Sequence, residues 1–154
     1  AQGKDTFHLR LNRMRLLMNS IAKLQKTKEL VNTVNEKVLI FCGNTKVCDS
    51  LQIASHHSKK SSDKEFKKFL NSEIDKLAVC KIGGAGITYP KLNRVIINYV
   101  DSNSNNLEQK IGRCLNMEFG QIAQIDIIVS NEEIELAWLK KALVTFDKNK
   151  IIWV

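Results

Sequence analysis

An α/β fold with a mostly parallel central sheet and helices on both faces is the architecture this sequence predicts. Short apolar, β-rich runs (Lys37 to Cys42, Leu77 to Cys80, Arg94 to Tyr99 and Gln124 to Val129) alternate with segments of helical periodicity. The connections between them are short, which favours strand-to-helix units that return the chain parallel to its start. A chain of 154 residues suits one domain, and a domain of that size buries roughly 68 to 70% of the surface its unfolded form exposes.

The elements follow in order. After a leading amphipathic stretch, Ser20 is placed to cap a helix in which Ile21, Leu24, Val31 and Val34 recur on one side, ending near Asn35. The run KVLIFC is then a buried strand, stopped by Gly43-Asn44-Thr45 at a turn into the next helix. Ser62 and Glu65 form a capping-box pattern ahead of Phe66, Phe69 and Leu70. A second buried strand ends at Cys80, and the glycine turn KIGGAGITYP (Lys81 to Pro90) follows it. The strand RVIINY precedes a helix with Leu107, Ile111 and Leu115 on one face. QIDIIV is a further strand, and Ser130 with Glu133 repeats the capping box before a helix carrying Ile134, Trp138 and Ala142. Ile151 to Val154 is expected to add an edge strand. The polar stretch Ser102 to Asn106 is too short to separate domains. In such a sheet, ligands gather at the carboxyl ends of the strands.

Composition narrows the function classes. Apolar residues make up 44% and charged residues 26%, ordinary values for a globular chain and far from those of a disordered one. No apolar run approaches the roughly 20 residues of a membrane-spanning helix, and no signal sequence opens the chain, so a soluble, cytoplasmic protein is expected. Lys and Arg number 24 against 16 acidic residues, a net charge of +8, which fits a polyanionic partner; the cluster Lys59, Lys60, Lys64, Lys67 and Lys68 also reads as the solvated face of a helix. Cys42, Cys48, Cys80 and Cys114 lack the close pairing of zinc or redox sites. His56 and His57 are adjacent, and on a strand they face opposite sides. No metal site is expected.

Two features carry chemistry. Gly83, Gly84 and Gly86 let a backbone approach a phosphate closely, although the turn does not match GxGxxG and also reads as tight geometry between strands. Arg113 follows Gly112 in QKIGRCLNM (Gln109 to Met117), and its planar fork of donors matches phosphate oxygens. An isolated helical arginine otherwise faces solvent.

Taken in order, KVLIFCGNTKVCDSL, AVCKIGGAGITYPKLNRVIINY and QKIGRCLNM resemble motifs IV, V and VI of the second RecA-like domain of superfamily 2 helicases of the DEAD/DEAH type, found in phages and mobile elements as well as cells. The resemblance runs from about Lys37 to Leu143 and implies a RecA-like three-layer sandwich. It divides the domain into leading helices from an inter-domain connection (1–35) and a core (37–154). It implies that Gln109 and Arg113 face the nucleotide, with Arg113 reaching the γ-phosphate, and that Gly86 and Thr88 sit near its sugar. Asn116, where the motif usually has a second arginine, would contact the nucleotide without charge. Asn44, Thr45, His57, Lys81, Gly83 and Gly84 are implied to meet the nucleic-acid backbone.

The implied function is the C-terminal motor half of an ATP-dependent DNA or RNA helicase or translocase. Its partners would be nucleic acid, with DNA expected, bound without regard to sequence, and an upstream RecA-like domain of the same polypeptide. Because the sequence contains no GxxxxGK[ST] and no DExx block, ATP and Mg2+ would be held mainly by that upstream domain, and this chain alone is expected not to hydrolyse ATP. A binding domain that kept the fold and lost the ATPase is the alternative.

Overall fold

The computed structural model describes residues 2–80, 89–103, 107–109, 111–112 and 122–154, with side chains from Thr6 onward. Two leading helices, α1 (Gln2–Met18) and α2 (Ile21–Thr33), precede the first strand. Then come β1 (Val38–Phe41), α3 (Thr45–Ser50), β2 (Ser55–His57), α4 (Lys64–Leu70), β3 (Lys76–Cys80), β4 (Arg94–Ile97), β5 (Gln124–Ile127) and α5 (Glu133–Ala142). A helical stretch at 107–109 and 111–112 lies between β4 and β5.

The strands form one five-stranded sheet in the order β2-β3-β1-β4-β5, with every pairing parallel. β1 lies at the centre because VLIF is apolar at every position, and a strand buried on both faces needs that composition. Alternate residues feed two cores. On one face Leu39, Phe41, Leu77, Val79, Val95 and Ile97 pack with Phe69 of α4, Leu107 and Ile111, and Leu139 of α5. On the other, Val38, Ile40, Cys42, Ala78, Cys80 and Ile96 pack with Val31 of α2 and with Val47, Cys48 and Leu51 beside and within α3. Each fully buried Leu or Ile contributes about 1.5 to 3 kcal/mol relative to exposure, so the two layers on the sheet hold the fold together.

The amino ends of the strands are locked by cations spent inside the protein. Lys37 Nζ donates to Ser72 Oγ (3.0 Å) and the Pro90 carbonyl (2.8 Å) and lies over the Phe69 ring. Lys76 Nζ donates to the Val31 carbonyl (2.6 Å), and Arg94 bridges Glu36 and Asp126.

Several expectations change. Residues 151–154 form no strand; they follow a 3-10 turn at Lys148–Lys150, and Ile152, Trp153 and Val154 are exposed. Charged Lys148 and Lys150 leave this tail without the apolar alternation that would dock it on a sheet edge. Neither capping box forms. Asp63 stands at the cap of α4 without a side-chain bond, while Glu65 pairs with Lys68. Glu132 stands at the cap of α5, and Ser130 is instead drawn to Glu135. Ser20 does cap α2, accepting from Lys23 N, but Ile21 points outward and is 73% exposed. On α1, Phe7, Leu9 and Leu16 are exposed, while Leu11, Met14, Leu17 and Met18 are partly buried.

Candidate nucleic-acid and nucleotide site

The carboxyl ends of the strands line up across the sheet. His57 pairs in register with Cys80, Cys42 N donates to the Val79 carbonyl, Asn98 N to that of Phe41 and Ile128 N to that of Ile97, each at 2.9 Å. Asn44, Thr45 and His57 therefore belong to one edge, the edge at which α/β sheets bind ligands. Lys81, Gly83, Gly84, Gly86 and Thr88 lie outside the described residues, as do Arg113 and Asn116. Gln109 is described, exposed on the helical stretch at 107–109.

Asn44 is occupied at both ends of its amide. Its Oδ1 accepts from Val47 N at 2.9 Å and caps α3, and its Nδ2 donates to Asn19 Oδ1 at 2.8 Å. The neighbouring Gly43 makes that contact possible, because a Cβ there would sit 3.1 Å from Met18 Cγ and 3.2 Å from Tyr99 Cγ. Thr45, partly buried, begins α3. Burial, then the nearby Asp101 carboxylate, pushes the Tyr99 phenol up to about 12.

His57 departs from the sequence reading. It is 4% exposed, its Nε2 lies 2.8 Å from Asp49 Oδ1, and its Nδ1 accepts from Lys59 N at 3.3 Å. With both nitrogens taken, the ring is not available to a phosphate; what it does is shape the turn after β2, where Lys60 N also donates to the His57 carbonyl. Asp49 accepts from Ser55 Oγ as well and lies 3.6 Å from Lys60 Nζ. The hydrogen bond from His57 is the main reason the Asp49 carboxyl is held below its ordinary range.

The same edge carries a buried polar cluster. Lys23 of α2 pairs with Glu135 of α5, with side chains 4% and 0% exposed. Ser130 donates to the other carboxylate oxygen through both its backbone N, at 2.8 Å, and its hydroxyl. Burial lowers the Lys23 pKa while Glu135 opposes that shift. Asn98 Nδ2 donates to Thr27 Oγ1 at 2.6 Å. Cys42, Cys48 and Cys80 are buried in the apolar core between the sheet, α2 and α3, and a hydrogen bond with Cys48, together with burial, pushes the Cys42 thiol up.

Sequence reasoning missed Asp49, Lys23 and Glu135. A buried Lys and Glu 112 positions apart leave no trace in local spacing, and Asp49 lies in a helix that gives no hint of its reach to β2.

The profile of the helicase conserved C-terminal domain matches residues 22–118, more than half of the chain. The chain belongs to this helicase family. No curated protein sequence matches it. Among solved structures it is similar to the C-terminal domain of the DEAD-box protein Dbp5, at 16% identity and a TM-score of 0.66 over 82% of this chain and 79% of that one. S. cerevisiae Dbp5 bound to RNA and ADP BeF3 gives 16% and 0.66 over 79% of this chain and 35% of that one. Domain 2 of the Mss116p DEAD-box helicase bound to an RNA duplex gives 22% and 0.60, covering 85% and 55%. This helicase domain therefore has the RecA-like fold, and it spans about a third of the longer Dbp5 chain. Among its described residues no helix is long and apolar enough to cross a membrane.

Proposed function

We propose that this domain is the second half of an ATP-dependent helicase or translocase motor, acting with an upstream RecA-like domain. The observation that carries the reading is the family match over residues 22–118 on an all-parallel sheet whose motif IV turn and β2 turn share the carboxyl edge. Gln109 and Arg113 face the nucleotide, and Arg113 stabilises charge that develops on the transferring phosphoryl group. ATP with Mg2+, held mainly by the upstream domain, supplies the phosphoryl group and the energy of its hydrolysis. Gly86, Thr88 and Asn116 complete the nucleotide side; exposed Gln109 is open to such a ligand. The backbone of the Asn44–Thr45 turn, the Thr45 hydroxyl and the segment with Lys81, Gly83 and Gly84 grip the strand through its phosphates, which makes binding independent of sequence.

The track is nucleic acid. RNA is what the Dbp5 and Mss116p structures hold, whereas the sequence reading expected DNA; competition between matched DNA and RNA single strands decides. In the polypeptide that joins this domain to its upstream partner, Arg113→Ala abolishes nucleic-acid-stimulated ATPase and leaves strand binding intact. An ATPase unchanged by that substitution refutes the motor reading. Asn116, an uncharged residue where the family usually has arginine, favours a second reading, a binding domain without hydrolysis. In that case the full polypeptide shows no stimulated ATPase to lose.

A further inference from the structure

We infer that Lys23 and Glu135 are positioning residues: their buried pair ties α2, on one face of the sheet, to α5, on the other, and through α5 sets the helical stretch that carries Gln109 against the nucleotide. The inference rests on the motor reading above and makes α5 the route by which the connection to an upstream domain reaches that stretch.

The tie crosses the sheet at its carboxyl edge. Val31 of α2 packs in the core on one face and Leu139 of α5 in the core on the other, yet Lys23 and Glu135 meet, with side chains 4% and 0% exposed. Each carboxylate oxygen has its own donor. Oε1 accepts from Lys23, and Oε2 accepts from Ser130 N at 2.8 Å and from the Ser130 hydroxyl, three residues beyond the end of β5. One turn along α2, Thr27 Oγ1 accepts at 2.6 Å from Asn98 Nδ2, directly after β4. Lys23, Thr27 and Val31 form the buried row of α2, so one helix holds the ends of two neighbouring strands.

From Glu135 the buried row of α5 continues through Leu139 and Ala142, spacings of four and three that keep all three on one side. Leu139 and Ala142 lie in the core cluster that holds Leu107 and Ile111, and the Thr145 hydroxyl, just past α5, donates to the Glu108 carboxylate. Gln109 stands exposed between Glu108 and Ile111. α5 is therefore gripped by α2 at its first turn and grips the Gln109 stretch at its last.

Stability alone does not account for a charged pair in this place. Well-packed apolar residues of similar volume are often as stable as a buried ion pair, or more so. Apolar surfaces slide, whereas a charge-assisted hydrogen bond fixes distance and direction. A joint that must carry a displacement needs the second property.

The test uses the polypeptide that joins this domain to its upstream partner, with ATPase stimulated by an oligothymidylate or oligouridylate single strand. Lys23→Met with Glu135→Gln strands no charge and keeps an acceptor for Ser130, so it folds. Its stimulated kcat should fall at least about fivefold, the low end of couplings between sites. KM for ATP and strand affinity should stay unchanged, because the other domain holds most of the ATP and the Asn44–Thr45 turn is untouched. A packing role alone would return kcat along with stability. In the 154-residue chain itself, amide exchange from Leu107 to Gly112 should quicken in the double variant while that of β1 stays as in wild type. Thr145→Val, on the surface and neutral for melting, should lower kcat in the same direction. Adding it to the double variant should lower kcat no further, since both cut one route.

The inference is overturned by a double variant whose kcat recovers with its stability, by unchanged exchange from Leu107 to Gly112, by a Thr145→Val kcat equal to wild type, or by effects of the two variants that simply multiply. A wild type without strand-stimulated ATPase sinks the motor reading and this inference together. A stimulated wild type matched by the double variant sinks the inference alone.

Discussion

Replacing Glu135 by Gln removes one charge from a buried pair and keeps its shape. Lys23 and Glu135 have side chains 4% and 0% exposed, so the ammonium left behind has neither counter-charge nor water. Breaking such a pair from one side costs about 3 to 5 kcal/mol. In a chain of this size, where 1 kcal/mol shifts Tm by about 2 to 4 °C, the melting point should fall by roughly 6 to 20 °C. Lys23→Met added to Glu135→Gln removes the stranded charge, while the Gln amide oxygen still accepts from Ser130 N, the bond that Glu135 makes at 2.8 Å. The double variant should return to within about 1 to 2 kcal/mol of wild type. Urea unfolding with an unchanged m-value is the assay. A Glu135→Gln cost below about 1 kcal/mol, or a double variant whose cost is the sum of the singles, would show that the pair is not the desolvated clasp described.

Three further outcomes are expected. Gly43→Ala places a Cβ about 3.1 Å from Met18 Cγ and 3.2 Å from Tyr99 Cγ, and overpacking there should cost about 1 to 3 kcal/mol, read by thermal melting; an unchanged Tm would show that the α1–α2 junction yields freely. Thr27→Val leaves Asn98 Nδ2, now bonded at 2.6 Å, short of its acceptor, and should cost about 1 to 3 kcal/mol, measured by urea unfolding. Asp49, its carboxyl held low mainly by the His57 hydrogen bond, contributes stability that is complete above the ordinary aspartate pKa of about 3.9 and is lost as pH falls through the lower folded value. The Asp49 side chain is half exposed, so the effect is modest; Asp49→Asn should flatten the acid limb of a stability titration below pH about 4, and an acid limb identical to wild type refutes the assignment.

The fold was legible where one segment sufficed to define an element. Four of the five strands stood out in the sequence: β1, β3 and β4 as apolar runs that the sheet buries almost throughout, and the edge strand β5 as the alternation in QIDI, which is only partly buried. β2 was not legible as a run: Ser55–His57 is short and polar, and it joins the sheet through pairing with β3 and the grip of Asp49. The capping boxes misled because serine bonds to whichever partner tertiary structure supplies; for Ser130 that is Glu135, two residues beyond the glutamate the pattern named. At the site, Asn44 was named from the resemblance, and its amide is spent on Val47 and Asn19. His57 was also named from the resemblance, and its buried ring is turned to Asp49.

The sealed thiols offer a gauge of how this domain breathes. Cys42, Cys48 and Cys80 are 1%, 0% and 4% exposed, and only a thiolate in contact with solvent reacts with a disulfide reagent. With Cys114 replaced by Ser, each alkylation or disulfide-exchange event in the native state must therefore await separation of the α2–α3 layer from the sheet. The modification rate then reads the frequency of that separation without a single engineered label.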